Sequence, residues 1–180
     1  PHKVVGITGT NGKSTTTALV HLILKEAGVP TTMGGNIGLP ILEQEPLSEG
    51  GVYVLELSSY QIDLTFSLAC DVAILLNITP DHLDRYDGFD AYAASKSRLF
   101  AMQKRGQHSI ARFTDARSLG QFAEGSIASI LEDVFQHRGI APDEQNGWKS
   151  LTGSHNRENA AAAIEACDIL GIPIDQIREG

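Results

Sequence analysis

No apolar run in this 180-residue chain approaches the length needed to cross a membrane as a helix, and its first residues lack the pattern of a secretory leader. Positive charge is scarce. Fourteen lysines and arginines against 22 acidic residues give a formal charge of −8, which argues against a general nucleic-acid or anionic-membrane surface. An anionic ligand must then be gripped by a local device. Only two cysteines occur, Cys70 and Cys167, far apart, each in an apolar surround and neither with a partner at metal-ligand spacing. Buried free thiols and a reducing cytoplasm are the expectation. Internal repeats and low-complexity tracts are absent as well. What remains, 42% hydrophobic and 20% charged, is the profile of a soluble globular protein, long enough for one domain with a sizeable core and too short for two large ones. The chain starts at Pro1, runs straight into a strand and ends at Gly180 just after a helix-like stretch, so a domain from a longer protein is expected.

The rest of the chain is organised around the stretch from Gly6 to Thr17. It follows the apolar run Val4-Val5-Gly6-Ile7 and leads into Ala18 to Leu24, and so reads as strand, glycine loop, helix. In such a loop Gly9 and Gly12 allow a tight turn with amides pointing inward. Lys13 brings a charge to the outer phosphates, and Ser14 or Thr15 offers a hydroxyl to a metal at the helix start. The common spacing G-x-x-x-x-G-K-[ST] is not met, because its first glycine would fall on Ile7; what stands here is G-x-x-G-K-S-T from Gly9 to Thr15. A triphosphate with magnesium is the natural occupant. A plain strand-to-helix turn is the bland alternative.

Further along, Ser14 to Ala27 reads as a helix ended by Gly28, and Pro30 to Met33 as a short strand running into Gly34-Gly35-Asn36-Ile37-Gly38, where the glycines imply special backbone angles or a close approach. Ile41 to Glu45 reads as a helical turn before a polar loop. Val52 to Leu57 and Val72 to Leu76 are nearly continuous apolar runs, as central parallel strands require. A helix over Phe89 to Met102, a strand at Ser109 to Ala111, a helix around Arg117 to Glu124, a strand at Ile127 to Leu131 and a helix over Asn156 to Leu170 complete the pattern, with polar turns and the only Trp between residues 132 and 152 suggesting a hairpin. The expectation is an α/β domain: a mostly parallel sheet flanked by helices, of P-loop type, with a small β excursion.

Glu56 lies inside an apolar strand, where a charge costs several kcal/mol unless paired or bound to a metal. If that strand runs parallel to the loop-bearing one, Glu56 is a magnesium-ligand candidate opposite Ser14 or Thr15; otherwise it is a surface carboxylate at a strand end. After the next strand, Pro80 forces a turn that puts Asp81, His82, Asp84 and Arg85 at the same sheet edge, as ligands or as a local hydrogen-bonded cap. Lys96 falls in the middle of the apolar stripe formed by Phe89, Tyr92, Ala93, Leu99 and Phe100. It either snorkels out or is held inside. Held inside, its pKa falls, and the neutral amine can add carbon dioxide to become a carbamate, a carboxylate-like metal ligand. Ser154 to Asn156 supplies cap residues for the last long helix, and Asn159 stands one turn on; a ligand at this helix start is the second reading.

Taken together, Gly9 to Thr15, Gly34 to Gly38, Leu55-Glu56-Leu57-Ser58-Ser59-Tyr60-Gln61, Asn77 to Arg85, Lys96 and His155-Asn156-Arg157-Glu158-Asn159 make the chain resemble the central ATP-binding domain of the Mur ligases over nearly its whole length, nearest the D-glutamate-adding branch. The resemblance implies catalytic roles for Lys13, His82 and Lys96. It implies ATP contacts from Gly9, Thr10, Asn11, Gly12, Lys13, Ser14, Thr15, Asn156 and Asn159, and one magnesium on Ser14 or Thr15 and Glu56, with a second on His82 and carbamylated Lys96. Asn36, Ser58, Gln61 and His82 would face the substrate. It further implies ATP and magnesium as cofactors, UDP-N-acetylmuramoyl-L-alanine and D-glutamate as substrates of a longer enzyme acting through an acyl phosphate, a cytoplasmic monomer, and no nucleic-acid or membrane partner. Another superfamily amide ligase, including folylpolyglutamate synthase, and a non-ligating nucleotide switch are the alternatives. Residues 105 to 151 carry no motif of the resemblance.

Overall fold

The structure, a computed structural model, describes residues 1–82, 84–112, 126–130, 134 and 151–179. Six parallel strands form one sheet: β1 (Lys3–Thr8), β2 (Thr31–Gly35), β3 (Val52–Glu56), β4 (Val72–Leu75), β5 (His108–Ala111) and β6 (Ile127–Ile130), in the order β2-β3-β1-β4-β5-β6. Their sequences are apolar nearly throughout because both faces of the sheet are covered. The two-residue period of a strand decides which side chain goes where. In β4, Val72 and Ile74 join the core beneath α1 (Lys13–Glu26), α4 (Ser154–Ile169) and α5 (Ile174–Glu179), whereas Ala73 and Leu75 join the core beneath α2 (Ser59–Asp63) and α3 (Gly88–Ala101). The alanines of α4, with Ala161, Ala162, Ala163 and Ala166 fully buried, let that helix lie close against sheet and α1.

The order of strands positions the site. From β1 the chain passes to β2 and β3 on one side of β1, then returns to lay β4 on its other side and continues outward to β5 and β6. The connections leaving β1 and β4 therefore diverge, and a crevice opens between them at the carboxyl edge of the sheet, where ligands of open α/β sheets collect. The register puts Glu56 beside Ile7, so the end of β3 flanks the same crevice.

The α/β class, the parallel sheet and the long helices agree with the sequence expectations, with small shifts at the ends. Helix α1 begins at Lys13, and Gly28, at φ +74°, closes it while Val29 N–H donates to Leu24 O. The helical turn after the glycine-rich segment is a 3-10 turn limited to Ile41–Glu43. One expectation is corrected: α4 is not capped by Ser154 or Asn156. Gly153, at φ +90°, stands at its N-cap without a side-chain bond, and Asn156 lies one turn inside, donating back to Thr152 O at 2.9 Å. Helix α2 had no sequence counterpart, being too short to show a period, whereas α5 is the helix-like stretch expected just before Gly180. The helix expected around Arg117 to Glu124 and the excursion between 132 and 152 fall outside the described residues. Among the described residues no helix is long and apolar enough to cross a membrane.

Ile74, fully buried at the centre of the sheet, is expected to cost about 2–5 kcal/mol of stability when replaced in Ile74→Ala, by lost burial and the cavity left behind; a urea titration followed by circular dichroism measures it.

Candidate active site

The loop after β1 is built by two glycines. Gly9, at φ +150°, and Gly12, at φ +87°, hold angles that a side chain resists. Between them the chain is clamped from β4: Asn77 O accepts from Thr10 N at 2.9 Å, Asn77 Oδ1 accepts from Asn11 N at 2.9 Å, and Asn77 Nδ2 donates to Asn11 O at 3.0 Å. Thr10 Oγ1 adds a reciprocal pair with Thr79, accepting from its N–H at 3.0 Å and donating to its carbonyl at 3.2 Å, and lies 3.3 Å from the Tyr92 hydroxyl. Lys13 folds over the loop and donates to Gly9 O and Thr10 O, both at 3.0 Å. On its other flank the loop meets α4. A Cβ on Gly12 would stand 2.4 Å from Asn159 Oδ1, and Asn159, itself buried, donates to Asn156 Oδ1 at 3.3 Å. Of the two asparagines expected near a nucleotide, Asn159 therefore stands against the loop and Asn156 is hydrogen-bonded to Asn159.

Lys96 is held inside rather than snorkelling: its side chain is only 2% exposed. Nζ donates to Gly9 O at 3.0 Å, reaches Thr8 Oγ1 at 3.5 Å and sits 4.8 Å from the centre of the Tyr92 ring. Its pKa is lowered from 10.5 to about 8, chiefly by burial and also by the charge of Lys13, with Asp81 opposing both. The helix that carries it buries both of its neighbours, Ser95 and Ser97, so the stripe is wider than the apolar residues alone indicated.

Glu56 is also 2% exposed. Its Oε1 accepts from Asn36 Nδ2 at 3.1 Å, while Oε2 is buried without a hydrogen-bond partner. A carboxylate oxygen left dry costs a few kcal/mol, and a cation is the group that most directly offsets it. Ser14 is exposed and Thr15 half-buried at the first turn of α1. Among the described residues no three His, Cys, Asp or Glu converge. A hard cation here would have to complete its shell from hydroxyls, water and oxygens of its ligand, as magnesium commonly does.

The segment after β4 places His82 at the crevice mouth in a conformation no other described non-glycine residue adopts, φ +51°. Its N–H donates to Asp81 Oδ1 at 2.9 Å and its ring Nε2 lies 3.6 Å from Asp81 Oδ2, both side chains being about half exposed. The imidazole contacts the rings of Tyr60 and Tyr92, and the Arg85 guanidinium lies 3.9 Å over Tyr60. A polar bracket holds this segment down: Asp63 Oδ2 accepts from Tyr86 OH at 2.8 Å, Asp63 Oδ1 from Ser95 Oγ at 2.7 Å, and Arg98 donates to the carbonyls of Asp63 and Thr65. Ser58 and Gln61 form a capping box at the start of α2, with Gln61 Oε1 accepting from Ser58 N and Ser58 Oγ, both at 2.9 Å. That local role occupies the Gln61 oxygen and leaves its amide outside the hydrogen bonds of the described residues.

Sequence reasoning gave no role to Asn77 or Tyr92. A polar residue directly after a buried strand was the available sign for Asn77; Tyr92 was hidden by its place in the apolar stripe.

A parallel sheet, a glycine loop closed by lysine at its switch point, a buried carboxyl at the end of β3 and a buried amine against the loop define a P-loop-type α/β domain. The family model described as Mur ligase middle domain matches residues 7–137, and the chain belongs to that family. It is 61% identical over 175 residues to the UDP-N-acetylmuramoylalanine--D-glutamate ligase of Novosphingobium aromaticivorans, covering 97% of this chain and 40% of the relative. It is 57% identical over 180 residues to the protein of the same name from Sphingopyxis alaskensis, covering 100% and 41%. The chain thus spans about two fifths of these relatives. Among solved structures, UDP-N-acetylmuramate:L-alanyl-gamma-D-glutamyl-meso-diaminopimelate ligase from Neisseria meningitides superposes with a TM-score of 0.72 at 20% identity, over 99% of this chain and 64% of that one. MurF ligase from Thermotoga maritima in complex with ADP gives 0.70 at 17%, over 99% and 48%. Both share the fold.

The lowered pKa of Lys96 makes stability depend on pH. Between about 8 and 10.5 the unfolded chain carries a proton on this lysine that the folded chain has lost, so stability rises with pH through that window and falls as pH is lowered back to about 8. Unfolding free energies of the wild type and Lys96→Met, compared from pH 7 to 11, are expected to differ by a term that changes by at most about 3 kcal/mol across the window.

Proposed function

We propose that these 180 residues are the central ATP-binding domain of a longer ligase that joins D-glutamate to UDP-N-acetylmuramoyl-L-alanine in peptidoglycan synthesis, with further domains on either side. The observation that carries the reading is the 61% identity to a relative named UDP-N-acetylmuramoylalanine--D-glutamate ligase. In the proposed reaction ATP phosphorylates the substrate carboxylate, and the D-glutamate amine then displaces phosphate from the acyl phosphate. The reading implies a bacterial cytoplasmic monomer.

Within this scheme Lys13 and the loop residues Gly9, Thr10, Asn11, Gly12, Ser14 and Thr15 surround the phosphates, with the N–H groups of Thr10 and Asn11 tied to Asn77 to hold the loop in shape. The positive φ angles of Gly9 and Gly12 and the position of Lys13 over the loop support this. Asn156 and Asn159 flank the adenine, a role supported by the contact of Asn159 with Gly12. Glu56 with Ser14 or Thr15 holds one magnesium; the partnerless Oε2 fits that role. His82 and carbamylated Lys96 hold a second. The carbamate forms when the neutral Nζ adds to the carbon of carbon dioxide and releases a proton, and a pKa near 8 leaves roughly a tenth of the amine neutral at pH 7. When bound, magnesium supplies charge neutralisation around the transferring phosphoryl group. Asn36, Ser58, Gln61 and His82 orient the muramoyl-alanine end, for which the unused amide of Gln61 and the exposed ring of His82 are available.

Purified full-length protein with ATP and UDP-N-acetylmuramoyl-L-alanine should release phosphate only when D-glutamate is added; release that ignores D-glutamate would overturn the reading. Lys96→Ala should abolish turnover and regain part of it in short carboxylic acids, and a fully active Lys96→Arg enzyme would eliminate the carbamate.

A further inference from the structure

The Gly34-Gly35-Asn36 turn wraps the end of β3 more closely than a loop with ordinary side chains can. Gly35 pairs with Glu56 in register at φ +104°, and a Cβ on it would stand 2.2 Å from Glu56 O. That approach delivers Asn36 to Glu56 twice. Its backbone N–H donates to Glu56 O at 2.9 Å and its side-chain Nδ2 to Glu56 Oε1 at 3.1 Å. Only the amide end of an asparagine can face a carboxylate oxygen at this distance, since the other end would set two acceptors together. With Oε1 engaged, the carboxyl plane is set and Oε2 alone is left, buried and without a partner.

We infer that Asn36 is a positioning residue for Glu56: it holds the carboxylate in one orientation and leaves Oε2 as a single ligand for a divalent cation. This rests on the magnesium–nucleotide reading above and gives Asn36, through its Nδ2 end, a second task beside the substrate contact proposed for it. Residues that orient a metal ligand through its other atom typically change metal affinity when removed, because the ligand must then be ordered by the metal itself.

The test uses the full-length protein, with ADP binding titrated by calorimetry over a range of free magnesium for the wild type, Asn36→Ala, Glu56→Gln and the double variant. Asn36→Ala is expected to raise the magnesium concentration at half-saturation about tenfold or more. In the Glu56→Gln background it is expected to add nothing further, because the group it orients is gone. Asn36→Ser, too short to reach Oε1 but able to keep the turn, should shift magnesium dependence in the same direction, so that a poorly folding alanine variant leaves the outcome readable. Additive effects of the two substitutions, or an unchanged magnesium dependence with a raised substrate KM, would overturn the assignment. A wild type whose nucleotide binding ignores magnesium would remove the reading beneath it; a wild type that responds, with additive variants, removes this inference alone.

Discussion

Two ammonium groups converge on one carbonyl oxygen, that of Gly9, each at 3.0 Å. One belongs to Lys13 at the start of α1 and the other to Lys96 on α3, 87 residues away from the glycine in sequence. Gly9 directly follows β1, and its φ of +150° is an angle that a side chain resists. The lysines repel one another, which is one reason Lys96 titrates near 8, yet both remain because the loop carbonyls and the Tyr92 face offer acceptors where water is excluded. The glycine loop after β1 is therefore flanked by lysine on two sides. The overall charge of −8 has no bearing on that, since the field at the crevice is set by the groups within a few ångströms of it.

The sheet makes this convergence possible. Because the chain reverses direction across the sheet at β1, the loop after β1 and the segment after β4 enter the same crevice from opposite sides, and Asn77 can grip the backbone of Asn11 from the neighbouring strand. The segment bearing His82 has no regular structure of its own to hold it. It is held instead by the bracket of Asp63, Tyr86, Ser95 and Arg98, in which each hydrogen bond contributes about 0.5–1.5 kcal/mol net. The same bracket fastens α2 to α3, so the placement of His82 and the placement of Lys96 are mechanically linked.

Family membership and the curated relatives agree with the resemblance drawn from motifs, and the solved structures agree with the fold. The motifs, Lys96 inside α3 apart, lie at strand ends and helix starts, where backbone geometry rather than packing selects the residue. They are legible for that reason. The five-residue helix α2 was not, because a single turn carries no period.

What the sequence determined by itself is local. Apolar runs of four to six residues made buried parallel strands, glycines at fixed offsets made the loop, and Gly28 ended α1, since each of these follows from the conformational preferences of neighbouring residues. The tertiary structure decided the rest. Lys96 had two readings until the fold brought Gly9 within reach of its ammonium. Glu56 was a surface carboxylate or a ligand until the turn at Asn36 took one of its oxygens and left the other dry. Asn156 lost its capping role because Gly153 already supplied the turn. These outcomes depend on pairs of groups 20 to 88 residues apart in the chain, or on which backbone position a helix starts from, and local sequence carries no energy term for either.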